Sequence, residues 1–222
     1  LSEWYRLVDT WLGEGVGAPG SLLDPGGVDV ADGRVWVVDR GNGRVQAFTT
    51  DGAFDRAWGR RGSGSADFVA PRDIAVAGGR VYVTDPGRPA VLVFGLDGAP
   101  LAQWTSDGIV APWGIAASSG RVAVSQPEAG TVTVFDPDGG ELARLTGLAQ
   151  PRGVSFAPDG RLVVAQSGGG VVTVHDAAGR ELARLAVPRA PLEAALDERG
   201  DLYVMATDVV YWYESGKSAS SP

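Results

Sequence analysis

The sequence predicts an all-β chain of five repeated units, each an antiparallel sheet of four short strands. Three observations carry this. Pro25, Pro71, Pro112, Pro151 and Pro191 recur at intervals of 46, 41, 39 and 40 residues, and each opens the same succession of apolar runs and turns. The runs are short and β-branched, and they alternate on a two-residue period. Glycine makes up 33 of the 222 residues while 44% of the chain is hydrophobic, too apolar for disorder, so the excess glycine belongs to turns.

Each element follows in order. The first strand comes directly after the proline: GVDVA, DIAVA, GIAAS, GVSFA and EAALD. A tight turn (ADGR, AGGR, SSGR, PDGR, ERGD) leads to the second strand, VWVVD, VYVTD, VAVSQ, LVVAQ or LYVMA. The third strand reads VQAF, VLVF, VTVF, VTVH or VYWY. In four repeats it runs into a glycine turn at Asp51-Gly52, Asp97-Gly98, Asp138-Gly139 or Ala178-Gly179. Six residues past that glycine stand Trp58, Trp104, Leu145 and Leu185, which close a fourth strand. Four antiparallel strands per repeat make one propeller blade, and the predicted fold is a five-bladed β-propeller.

The fifth repeat stops after its third strand at Tyr213, and its fourth strand is found at the other end of the chain. RLVDTWLGEGVGAPGSLLDP reads like AFDRAWGRRGSGSADFVAP, with Trp11 in the place of Trp58 and Pro25 in that of Pro71. A strand over 5–11 is therefore expected to complete the last blade and close the ring, which removes open sheet edges. The domain spans 1–214, and 215–222 is a Ser-rich tail or linker. The chain starts at Leu1 and ends in KSASSP, which suggests a piece of something longer, displayed outside the cytoplasm.

VWVVDRGNGRVQAFTTDG and the lead-in GRRGSGSADFVAP resemble the NHL repeat, with its Pro-x-Gly-Ile/Val opening, Val-x-Asp second strand and Arg-Val third strand. The resemblance covers nearly the whole chain and is strongest in repeats one and two. Gln126, Gln166 and Ala206 stand where the family has Asp. Members usually have six blades; the complementary chain ends give five here. The resemblance implies a non-catalytic, monomeric scaffold domain within a larger protein. Such a domain binds a protein, peptide, glycan or small ligand through its top face, formed by the loops between strands two and three and between blades.

Composition narrows the classes. A net charge of −8, lying mostly on the bottom turns, argues against a partner held by phosphate neutralisation, so no nucleic acid is expected. The absence of cysteine excludes disulfides, thiolate metal sites and cysteine nucleophiles. No apolar run approaches the ~18 residues of a membrane helix, so no membrane insertion of this segment is expected.

Two top-face loops are long, with 14 residues from Trp11 to Pro25 and 13 from Trp58 to Pro71, against 8, 6 and 6 in the later repeats. This raised sector bears Arg40, Arg44, Arg60, Arg61 and Arg72, to which Arg152 and Trp113 add as ligand-binding candidates. Trp113 shares its repeat slot with Gly26, Arg72, Arg152 and Leu192, so it does not belong to the repeated core. The plainer reading pairs the arginines with Asp39, Asp67, Asp73 and Asp85 as solvated ion pairs. His175, the one histidine, occupies a slot filled elsewhere by Phe48, Phe94, Phe135 and Tyr213. It reads as packing, and no catalytic residue is expected.

Asp73 and Glu193 replace Gly27, Gly114 and Gly153 at the expected mouth of the central channel. With Asp29 they offer an oxygen-rich alternative site for Ca or Mg, although the leading expectation is no cofactor. Lactonase and lyase propellers similar to this fold hold an axial metal, and on that likeness the chain would be a metal-dependent enzyme.

Overall fold

A computed structural model describes residues 17–105 and 108–215, and every regular element among them is a β-strand. Blade 1 consists of β1 (Pro25–Ala31), β2 (Arg34–Asp39), β3 (Arg44–Thr49) and β4 (Phe54–Trp58). Blade 2 consists of β5 (Ile74–Ala77), β6 (Arg80–Asp85), β7 (Ala90–Gly95) and β8 (Pro100–Trp104). Blade 3 is β9 (Ile115–Ala117), β10 (Val122–Gln126), β11 (Thr131–Phe135) and β12 (Glu141–Leu145). Blade 4 is β13 (Pro151–Phe156), β14 (Leu162–Gln166), β15 (Val171–His175) and β16 (Glu181–Ala186). Blade 5 has three described strands, β17 (Glu193–Leu196), β18 (Leu202–Ala206) and β19 (Val209–Tyr213). Each sheet is an antiparallel meander in chain order, so the five-bladed propeller predicted from the repeat is the observed architecture. The strand expected over 5–11, and with it closure of the ring, lies outside the described residues. No helix among those residues is long and apolar enough to cross a membrane.

The two-residue alternation decides which blade each side chain meets. In blade 2, Val81, Val83, Leu92 and Phe94 face back into a core shared with Trp36, Val38, Val45 and Ala47 of blade 1. Tyr82, Val91 and Val93, one residue out of phase, face forward onto Ile115, Val122 and Val124 of blade 3. The same scheme builds a third core between blades 3 and 4 and a fourth between blades 4 and 5. Among the described residues no fifth core joins blade 5 to blade 1. Val28 and Val30, whose counterparts Ile74 and Val76 are buried, are 61% and 64% exposed there. Val210 and Trp212 on the forward face of β19 are 63% and 60% exposed.

The turn glycines do two jobs. Gly98 and Gly139 close the hairpins between strands three and four at φ 85° and 93°, a backbone region that L side chains rarely adopt. Each also lies under the tryptophan of the preceding blade: a Cβ on Gly98 would come within 2.8 Å of Trp58, and one on Gly139 within 2.8 Å of Trp104.

A candidate ligand site at the axial mouth

The innermost strands of all five blades converge on a central cavity of about 680 Å³. Its lining runs from Gly26, Arg40, Arg72 and Trp113 at the strand entrances to Asp29, Asp73 and Glu193 along the walls. The innermost strands leave backbone donors facing the axis, and these need acceptors. Asp29 supplies one by accepting from Val76 N of blade 2 at 2.7 Å, and Asp73 another by accepting from Ile115 N of blade 3 at 2.9 Å. The second oxygen of each accepts from the next residue of its own strand, Val30 N and Ile74 N. These carboxylates thus latch one blade to the next, and Ser155 does the same in reverse by donating to Ala194 O of blade 5.

This use of Asp29 and Asp73 bears on the metal alternative. Both oxygens of each already accept backbone N–H groups, and among the described residues no three Asp, Glu or His side chains converge closely enough to hold a cation.

The cavity nevertheless has unusual electrostatics. Burial, as the main cause, pushes Asp73 up to about 6. Glu193 is pushed up to about 8, first by burial and then by the charge of Asp73. Glu193 is nevertheless an exposed residue on the cavity wall, so water reaches its side chain and tempers that rise. Burial also lowers the pKa of Arg72, assisted by the neighbouring positive charge of Arg40. Both acids stay protonated in the folded chain at pH values where unfolded carboxyls have ionised, so the native state binds more protons. Their contribution to stability is therefore greatest in acid and is lost as pH rises through about 6 and then about 8. His175 works in the opposite direction, because burial depresses its pKa and its contribution is lost as pH falls. In a His175→Phe background, melting temperature should fall from about pH 5 to about pH 8 and level off above it, and Asp73→Asn with Glu193→Gln should flatten that slope. An unchanged slope would refute the shifts.

The mouth itself is built by one repeat slot, the residue after the strand-opening proline. Arg72 and Trp113 line the cavity, and Arg152 approaches Trp113 from the next blade. The guanidinium carbon of Arg72 lies 3.3 Å from the centroid of the Trp113 ring, and that of Arg152 lies 5.2 Å from it. Thr84 Oγ1 donates to Trp113 O at 2.8 Å and fixes the backbone that carries the indole. The structure thus brings Arg72, Trp113 and Arg152 together, with Arg40 on the same cavity wall.

The other arginine candidates are engaged elsewhere. Arg44 is tied to buried Asp39 at 2.7 Å and donates to the carbonyls of Gly17, Ala18 and Ser21, which shapes the entry loop. Arg40 makes a two-pronged pair with Asp24, Arg60 pairs with Asp67, and Arg61 donates to Arg40 O and Gly41 O. Asp73 makes no ion pair among the described residues, against the pairing expected from sequence. Asp85 pairs with Arg88 at 3.7 Å.

Two further sequence expectations are clarified. Asp39 and Asp85 anchor the interblade loops by accepting from Leu23 N at 2.8 Å, and from Val69 N and Ala70 N at 2.8 and 2.9 Å. Gln126 and Gln166 accept from Val110 N at 2.7 Å and Ala149 N at 2.9 Å in the same way, so the departure from Asp keeps the acceptor. His175 is buried and its two ring nitrogens meet Gly179 O at 3.2 Å and Thr173 Oγ1 at 2.9 Å. Gly179 O only accepts, so Nδ1 carries a proton, and burial, which lowers the pKa of His175, favours the neutral ring in which the Thr173 hydroxyl donates to Nε2. His175→Phe, which installs the residue of three sister repeats, should cost less than about 1.5 kcal/mol and leave any ligand binding intact, as measured by urea unfolding and calorimetry.

Known proteins resemble this architecture. The family DUF5128, described as a 6-bladed beta-propeller, matches residues 21–111. No curated protein sequence matches the chain. A streptogramin B lyase structure superposes with a TM-score of 0.69 at 14% identity, covering 91% of this chain and 72% of that one. A gluconolactonase from Xanthomonas campestris gives 0.68 at 23% identity, covering 85% and 71%. The WD40 beta propeller domain of Doa1 gives 0.70 at 13% identity, covering 86% and 64%. At these identities the likeness establishes the β-propeller fold and carries no activity across.

Proposed function

We propose that the chain is a non-catalytic, NHL-like propeller module that binds a ligand through its top face, with the axial mouth at Arg72, Trp113 and Arg152 as the centre of the site. The observation that carries this reading is the Arg72–Trp113–Arg152 cluster beside a cavity of about 680 Å³. Concave sites with a few convergent polar groups are where propellers and other rigid scaffolds accept ligands. His175 is buried with both ring nitrogens engaged by Gly179 O and Thr173 Oγ1, which weighs against a general-base role. The engaged oxygens of Asp29 and Asp73 weigh against metal-assisted hydrolysis.

The test is a thermal-shift screen of short peptides, oligosaccharides, sugar acids and nucleotides. A ligand at 100 times its Kd raises stability by about 2.7 kcal/mol if it binds only the folded chain. Val28 lines the cavity and is 61% exposed, so Val28→Trp adds bulk at the cavity wall without disturbing a core among the described residues. Stabilising compounds should lose their effect in Val28→Trp. Hits that all survive this substitution would place the site away from the axis, and turnover of a lactone dependent on added calcium or magnesium would replace binding by catalysis.

A further inference from the structure

Arg72 and Arg152 carry donors that the described residues leave without a counter-ion. Neither makes an ion pair there, and the Nε of each is buried without an acceptor. Their neighbours on the top face are matched: Arg40 with Asp24, Arg44 with Asp39, Arg60 with Asp67. Arg88 also has an Nε without a hydrogen bond, but the Asp85 carboxylate stands 3.7 Å away, its Nη2 donates to loop carbonyls and its Nη1 to Gln103 Oε1. A buried guanidinium N–H without an acceptor is costly, and that cost falls when an oxyanion supplies one.

The spacing suits a single anion. Distances of 3.3 and 5.2 Å to the same indole centroid mean that no more than 8.5 Å separates the two guanidinium carbons. With charge-assisted bonds of about 2.7–2.9 Å, a guanidinium carbon sits about 4 Å from the central atom of a carboxylate or phosphate, so one such group spans guanidinium carbons up to about 8 Å apart, which is nearly the whole of that range. One face of Trp113 is covered by Arg72, so that face does not stack on a ligand; it holds the Arg72 guanidinium in place.

We infer that Arg72 and Arg152, positioned by Trp113, form a cradle for one oxyanion, the carboxylate or phosphate of a small ligand entering the axial cavity. This rests on the binding reading above and names the chemistry of its ligand. The other charged groups of the cavity are Arg40, with its partner Asp24, and the acids Asp29, Asp73 and Glu193. Asp29 and Asp73 are turned to backbone donors, and Glu193 is held protonated near neutrality, which lessens repulsion of an incoming anion.

The experiment uses inorganic phosphate and citrate as separate probes, titrated into the chain by calorimetry and followed by tryptophan fluorescence. At least one should bind, more weakly as salt rises. Arg72→Gln with Arg152→Gln keeps the bulk of both side chains and should lower that affinity at least tenfold, while Arg72→Lys should lower it less. Trp113→Phe should retain binding better than Trp113→Ala, because a ring platform remains. The preference between the probes tells a phosphate ligand from a carboxylate one. Failure of both probes to bind a folded parent chain, or equal binding by a folded double glutamine variant, overturns the cradle. A neutral ligand that is lost in Val28→Trp but indifferent to the glutamine pair would overturn the cradle alone and leave the wider binding reading standing.

Discussion

Asp39→Ala should cost about 3–5 kcal/mol, read as a lowered urea midpoint with an unchanged slope, because it removes one partner of a buried charged network. Asp39 is 0% exposed and its two oxygens accept from Leu23 N, Asn42 Nδ2, Arg44 Nε and Gln46 Nε2. Alanine would strand the Arg44 guanidinium, whose side chain is only 12% exposed, and would free the loop around Leu23. Asp39→Asn should cost less, about 1–3 kcal/mol, since it keeps one acceptor oxygen while turning an amide against two donors. A loss below about 1 kcal/mol for alanine would mean that the entry loop is held by its other contacts, Gly41 N to Leu23 O at 2.7 Å and Gly20 N to Gln46 Oε1 at 2.9 Å.

The same slot marks where sequence reading stopped short. The Val-x-Asp signature is legible in repeats one and two, and Gln126 and Gln166 read there as erosion of the motif. What the position requires is one buried acceptor for a loop N–H, and an amide oxygen serves as well as a carboxylate. Only Ala206 lacks an acceptor, and it stands in the blade with three described strands. Asp29 and Asp73 show the converse. As departures from a glycine slot or an apolar strand they read as an alternative cation site, and the structure gives them a further task that the sequence did not show: their oxygens accept from Val76 N and Ile115 N of the next blade.

Repeat arithmetic found the five blades because a two-residue alternation under a regular proline spacing leaves few other solutions. It also placed Arg72, Trp113 and Arg152 in one slot. It did not reveal that they touch, since a ring of equivalent positions has no distances until the blades are packed. The arginines of the long loops have a second task that length and charge do not show: Arg44 and Arg61 donate to backbone carbonyls that give the loops their shape.

The tryptophan that ends a fourth strand gives the second large effect. Trp104 is 7% exposed and lies with its ring centroid 5.5 Å from both Tyr82 of its own blade and Phe135 of the next. Trp104→Ala should cost about 3–5 kcal/mol, as a buried large-to-small change that opens the core between blades 2 and 3. Blades 3 and 4 fill this slot with Leu145 and Leu185, and the buried Trp104 Nε1 has no hydrogen-bond partner. An apolar replacement that fills part of the space therefore loses contact area but no hydrogen bond, so Trp104→Leu should cost about half as much as alanine. Equal losses for leucine and alanine in urea unfolding would show that the ring stack with Tyr82 and Phe135, rather than filled volume, joins the two blades.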